Sequence, residues 1–160
     1  MNLQPAIITT SQKHFIGMHL EMSLANNQTF SVFRTFMPRR NEVAQRVDDK
    51  VVDIRVYPTD YYAAFSPMKP FIKWAAVEVN AIENIPTGME SITLEGGKYA
   101  VFTYKSNGNP SAVFNYIFRE WLPHSGYNLA ERPHFDRMFE HARLSEVPLD
   151  EEIWIPITEK

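Results

Sequence analysis

The stretch "FRTFMP", Phe33 to Pro38, returns 85 positions later as "FREWLP", Phe118 to Pro123. The patterns around each copy repeat in the same order. A strand-like run, "HFIGMHLEMS", precedes the first copy, and "KYAVFTYKS" precedes the second. An apolar strand with a tryptophan closes each half: "FIKWAAVEV" around Trp74, then "EEIWIPI" around Trp154, 80 positions on. Two units of strand, helix, strand, strand are the simplest reading, with pseudo-repeats over about 1–85 and 86–160.

The helices are set by spacing and punctuation. Phe114, Ile117, Phe118 and Trp121 follow the i, i+3, i+4, i+7 rule of one buried face. Asn109 is placed as N-cap and Pro110 at the first helical position, and Pro123 and Gly126 end the helix. The first helix is expected to bury Phe30, Phe33, Phe36 and Met37 and to break at Pro38, with "NEVAQRV" adding one or two turns. "VVDIRVYP", "PFIKWAAVEVN", "MESITLEGGKYAVFTYKS" and "EIWIPIT" are rich in β-branched and aromatic residues and read as strands, with "EGGK" as a turn. "YPTDYYAAFSPMKPF" reads as a surface loop, and "RPHFDRMFEHA" fits either a strand or a helix. No linker divides the chain. Runs of strands with two main helices predict one α+β domain over residues 1–160, an antiparallel sheet with both helices on one face.

Composition narrows the function classes. The chain has 160 residues, enough for a single sizeable core. A net charge of −3 argues against direct nucleic-acid binding, and the absence of cysteine excludes disulfides and thiolate chemistry. No apolar run approaches the roughly 18–20 residues that span a bilayer. The opening "MNLQPAIITTSQK" lacks the form of a signal peptide, so no membrane association and a cytoplasmic location are expected. His14, His19, His124, His134 and His141 show no ligand spacing, so neither metal nor cofactor is expected. Nucleophile-elbow, P-loop and dinucleotide motifs are missing. Arg39, Arg40 and Arg46 follow the first helix and read as a solvated basic face.

The candidate site comes from strand parity. Ile153, Ile155 and Ile157 point one way as a core face, and Glu152 and Trp154 point the other. Trp74 and Trp154 close matching strands, so a pseudo-two-fold would set them on opposite walls of the seam. Such a pair makes a slot for a flat or cationic ligand, each cation–π contact contributing roughly 0.5–2 kcal/mol. The bland alternative is that both are core residues. Asp136 and Glu140 share a side whether their segment is extended or helical. Carboxylates beside aromatics suit an organic cation, and desolvation raises their pKa unless a positive charge compensates. Incidental solvated acids are the alternative.

The run "GKYAVFTYKS…FNYIFREWLPHSGYNLAERPHF…EEIWIPI" resembles the GyrI-like small-molecule-binding family, which is also the effector-binding domain of AraC-type and multidrug-responsive activators. The resemblance covers almost the whole chain and is most specific in its second half. It implies a duplicated βαββ fold with a central groove that binds lipophilic cations through aromatics and buried acids. The family's last-strand Glu maps onto Glu152 and the following aromatic onto Trp154. Its second groove acid maps onto Glu140 by spacing or Asp136 by the "PHFD" context, with Glu140 favoured for its reach. No DNA-binding region accompanies the pattern, so a stand-alone binding module is expected, linked to transcriptional regulation, drug sensing or sequestration. Trp74, Trp154 and Tyr57 would form its walls, and Glu140 and Glu152 would supply its charge. Two alternatives accompany it. One is a hydrolase of strained electrophiles with Glu140 as general base and Tyr57 or Tyr104 as donor. The other is an interaction protein whose partner is a DNA enzyme such as gyrase or a separate regulator.

Overall fold

The computed structural model describes residues 3–160. Among them nine strands form an antiparallel sheet: β1 (Ala6–Thr10), β2 (Lys13–Met22), β3 (Lys50–Val56), β4 (Phe71–Val79), β5 (Glu90–Leu94), β6 (Gly97–Lys105), β7 (Tyr127–Leu129), β8 (His134–Phe139) and β9 (Asp150–Glu159). Their order is β1-β6-β9-β8-β3-β4-β2-β5, and β7 pairs with the far end of β9. The ambiguous segment "RPHFDRMFEHA" is therefore a strand, β8, over its central part.

The sheet is symmetric about its middle. β3 and β8 pair antiparallel with Asp53 facing Asp136. On the outer side Asp53 faces Ala75 of β4, and Asp136 faces Ile153 of β9. Each half runs strand, helix, strand, strand, but each also carries an extra arm. β1 precedes β2 yet lies on β6. β5 precedes β6 yet lies on β2. The halves thus exchange their first strands.

This register revises how the tryptophans correspond. Because Ala75 and Ile153 are counterparts, Trp74 corresponds to Glu152, and Trp154 to Ala76. The β8–β9 connection is shorter than the spacing of the two tryptophans implies, and the shift is an even one. Parity survives, so both tryptophans still share a face. They lie in one row across the sheet, Trp74–Ile54–Phe135–Trp154, rather than across a slot.

Helix α1 (Thr29–Phe36) buries Val32 and Phe36. Asn27 Oδ1 accepts from the Thr29 N–H at 3.0 Å. Pro38 turns the chain into a 3₁₀ segment, Met37–Glu42, after which Val43 is extended and buried. Arg46 then bridges Val79. "NEVAQRV" does not prolong the helix, because putting Val43 into the core requires extended backbone. Phe30, expected inside, is 66 % exposed. Helix α2 (Pro110–Tyr116) is capped as expected, Asn109 Oδ1 accepting from the Ala112 N–H at 3.3 Å. It continues through a wider π turn, Ile117–Trp121, into Leu122–His124. Pro123 lacks the N–H that would close an ordinary turn there.

Both helices pack on one face. Val32 and Phe36 of α1 meet Ile16, Val51, Ala75 and Val77, while Val113 and Ile117 meet Ala100, Phe102, Ile153 and Ile155. The other face is closed by curvature. Phe15 on β2 reaches Phe135 on β8 with ring centroids 6.0 Å apart, although two strands lie between them. Three steps of a flat sheet would span roughly 14 Å, so the sheet curls until this face fills itself. Tyr99, Trp74 and Trp154 complete that second core. Among the described residues no helix is long and apolar enough to cross a membrane.

Candidate functional site

The helices cover the outer strands of each half and leave β3 and β8 as the floor of a groove between them. Strand alternation sends Val51, Asp53 and Arg55 from β3 into this groove, and Met138, Asp136 and His134 from β8. They form three rungs: Val51 opposite Met138, Asp53 opposite Asp136, Arg55 opposite His134. Two facing carboxylates at the centre of a sheet need compensation, and it is present. Lys73 Nζ donates to Asp53 Oδ2 at 2.9 Å. Arg55 Nη1 contacts Asp53 Oδ1 at 3.4 Å, and its Nη2 donates to Asp136 Oδ1 at 3.0 Å. The Arg55 guanidinium also lies 5.5 Å from the Phe114 ring centre.

These groups set one another's protonation. Burial pushes the Asp136 carboxyl up to about 6, against the pull of Arg55 and with help from Asp53. Burial and then Arg55 hold His134 well below the usual imidazole range, so its ring is neutral.

Between α1 and the β8–β9 connection the groove opens to a cavity of ≈ 960 Å³. Phe30, Phe33 and Met37 form its apolar wall and Val51 and Met138 its floor; Asp53, Glu140 and Glu151 are its acids, and Arg34 and Arg143 also line it. Glu140 is already neutralised. It accepts from Arg40 Nε at 2.9 Å and lies 2.7 Å from Arg46 Nη1. Partial burial opposes its ionisation, but these two guanidinium groups hold its carboxyl below the usual range.

Glu151 differs from every other acid of the groove. Its one hydrogen-bond partner among the described residues is the Tyr104 hydroxyl, which donates to Oε2 at 2.8 Å. Burial, and then the bond to Glu151, raise the Tyr104 pKa, so the phenol keeps its proton and acts as the donor. The register explains why no base serves Glu151. It is the counterpart of Lys73, each standing two residues before the neighbour of a central aspartate. Lys73 neutralises Asp53, but the matching position near Asp136 carries a second negative charge.

The residues expected from sequence divide between the two faces. Asp136 and Glu140 lie in the groove. Tyr57 stands at the groove's far end, stacked on Tyr61 at 4.4 Å and edge-on to His134 at 5.0 Å. Glu152, Trp154 and Trp74 lie on the opposite face. Glu152 accepts from Arg137 Nη1 at 3.0 Å and from Trp154 Nε1 at 3.3 Å. Trp154 stacks on Phe135 at 5.0 Å, and Trp74 lies 4.4 Å from the His19 ring; each is only 6 % exposed. Asp53, Arg55, Lys73 and Glu151 were not anticipated. Their signal is parity. Glu151 shares it with Ile153, and "DIR" sets opposite charges two residues apart inside an apolar strand.

The sequence matches the model of one protein family, Cass2, described as integron-associated effector binding protein, over residues 6–157. None of the curated proteins matches it. Among solved structures it is similar to an integron cassette protein, Cass2, from the mobile metagenome of Vibrio cholerae, with 14 % identity, TM-score 0.62, and 98 % of this chain and 97 % of that one covered. The EcmrR C-terminal domain superposes with 9 % identity and TM-score 0.70 over all of both chains. SAV2435, solved bound to tetraphenylphosphonium, gives 15 % identity and TM-score 0.61, with 99 % of this chain and 94 % of that one covered. The duplicated α+β architecture is the one expected from the repeat and from the GyrI-like resemblance, and the chain belongs to the Cass2 family of integron-associated effector-binding proteins.

Proposed function

We propose that the protein binds an amphipathic organic cation in the groove between α1 and the β8–β9 connection. The observation that carries this reading is Glu151, a groove carboxylate without a basic partner beside an apolar wall of Phe30, Phe33 and Met37. The other acids in or under the groove each have a lysine or arginine within 4 Å. A ligand cation is the charge that Glu151 lacks, and a ring on the ligand suits Phe33. The tetraphenylphosphonium held by the structurally similar SAV2435 has this chemistry. Titration with tetraphenylphosphonium is the direct test. Glu151→Gln should weaken binding by about tenfold, the worth of one half-buried charge contact. Equal affinity of the two proteins removes the charge from the recognition.

The Tyr104–Glu151 hydrogen bond favours a second reading, hydrolysis of a strained electrophile. Glu151 would accept a proton from water as it attacks the ring, and Tyr104 would return one to the leaving carbon. Glu140, held ionised by two arginines, is a poor base. Turnover of a cyclopropane electrophile, lost in Glu151→Gln and in Tyr104→Phe, supports this reading. Stoichiometric binding without product rejects it for that substrate.

A further inference from the structure

The central symmetry gives the groove two halves, and the chain treats them differently. In the first, Phe33 of the repeated "FRTFMP" and Val51, two residues before its central aspartate, border the open cavity. Their counterparts in the second half are Phe118 of "FREWLP" and His134. There the space is filled by the chain itself. The Tyr62 ring stacks on Phe118 with centroids 5.7 Å apart and planes 21° apart. It also stacks on His134 at 5.8 Å and 24°. Tyr62 reaches this place because the β3–β4 connection, residues 57–70, folds across the second half-groove.

The neighbours of Tyr62 show which part of that connection is fixed. Tyr61 is 3 % exposed and anchored on Met22 and Phe71. The Ala25 N–H donates to the Pro67 carbonyl at 2.9 Å and holds the outer part of the loop. Tyr62 is 41 % exposed; its ring stacks on Phe118 and His134, meets Tyr57 and Tyr61 edge-on, and its hydroxyl bonds with that of Tyr57. Rotation about its own side-chain bonds moves it into solvent while Tyr61 stays in place. The two rings it would leave, stacked 6.4 Å from each other, are aromatic and neutral: Phe118 presents a phenyl face, and His134 an uncharged imidazole.

We infer that the second half-groove is a latent aryl subsite, which Tyr62 plugs and which the second ring of a two-ring cation enters by displacing the Tyr62 side chain. The inference rests on the cation-binding reading above and extends it. One aryl group lies against Phe33, the charge lies near Glu151, and a second aryl group replaces Tyr62 between Phe118 and Tyr57. A one-ring cation uses only the open half and leaves Tyr62 in place.

Two quaternary ammonium probes separate these cases: benzyltrimethylammonium with one ring, and benzyldimethyl(8-phenyloctyl)ammonium with two, whose octyl arm spans the roughly 13 Å that four strand residues set between Met138 and His134. In wild type the two-ring probe must unstack Tyr62, and Tyr62→Ala removes that cost. Calorimetric titration should show the two-ring probe binding Tyr62→Ala about five- to tenfold more tightly than wild type, in line with the loss of one stacked pair. Benzyltrimethylammonium should change less than about twofold. Tyr62→Phe keeps the ring and loses only the hydroxyl bond to Tyr57, so it should stay within about twofold of wild type for both. A ¹⁹F resonance from 3-fluorotyrosine at position 62 should move to a solvent-exposed shift with the two-ring probe alone. If benzyltrimethylammonium binds wild type but Tyr62→Ala gains nothing with the two-ring probe, or gains equally with both, the plug is overturned and the groove reading stands. If neither probe binds any of the proteins, the groove reading fails and the subsite falls with it.

Discussion

Lys73 and Glu151 occupy corresponding positions with opposite charge, and this single difference makes the groove asymmetric. Lys73 is 6 % exposed and holds Asp53 at 2.9 Å. Lys73→Met strips a buried carboxylate of its closest partner and should cost about 3–5 kcal/mol in urea unfolding, the usual penalty for breaking a buried pair. Glu151→Lys acts the other way. It places a base near Asp136, so affinity for tetraphenylphosphonium should disappear while the melting temperature holds. Asp136 adds a pH dependence whose sign follows from its raised pKa. An acid that grips its proton more tightly when folded than when unfolded stabilises the fold most at low pH. That contribution fades as pH rises from about 4, the ordinary value for an unfolded aspartate, through about 6. Stability of the wild type should therefore carry a falling component across this window. In Asp136→Asn, which has no proton to lose, this component should be missing. At this scale the sequence was half legible. Asp136 and Glu140 could be found because both fall on one side under either reading of their segment. Choosing between Glu151 and Glu152 turned on which face carries the ligand. Trp154 drew the reading to the face that the chain's own aromatics fill: a large aromatic signals a filled space as readily as an open one.

Elements were more legible than residues, because caps and prolines act locally. Asn109 before Pro110 marked the start of α2, and its side chain caps the helix. Asn109→Ala should cost about 1 kcal/mol, seen as a small fall in melting temperature. The π turn at Ile117–Trp121 left no plain signal, since periodicity over so few residues cannot tell 3.6 from a wider spacing. Gly17 is a strand residue whose side is taken by its neighbour. A Cβ there would meet the Ala75 carbonyl oxygen and lie 2.6 Å from the Ala76 Cα, both backbone atoms of β4. Gly17→Ala therefore has to push two paired strands apart, and a loss of about 1–3 kcal/mol is expected by thermal denaturation. The loop reading of "YPTDYYAAFSPMKPF" held for the backbone and missed the side chains. Tyr57, Tyr61 and Tyr62 pack on one another, on Phe71 and on Phe118. These contacts join distant parts of the chain, and local pattern carries no trace of them.

For the molecule as a whole, the duplicated order of elements was readable and the exchange of arms was not. β1 and β5 each adjoin one strand in sequence and pair with another in space, and no residue pattern states a partner. The arms guard the sheet. β6 spans Gly97–Lys105, with Ala100 and Phe102 fully buried, and β1 is all that lies along its outer margin. A chain shortened to begin at Ser11 would keep its groove, both helices and the central seam. It would also leave the five residues Gly97–Val101, now paired with β1, with an open edge facing solvent. Such a margin pairs with its own kind. The shortened protein should elute from a sizing column as concentration-dependent dimers and larger species, and a synthetic peptide spanning residues 3–12 added in trans should return it to its smallest form. Strand β1 then acts as a guard that keeps neighbouring copies from polymerising.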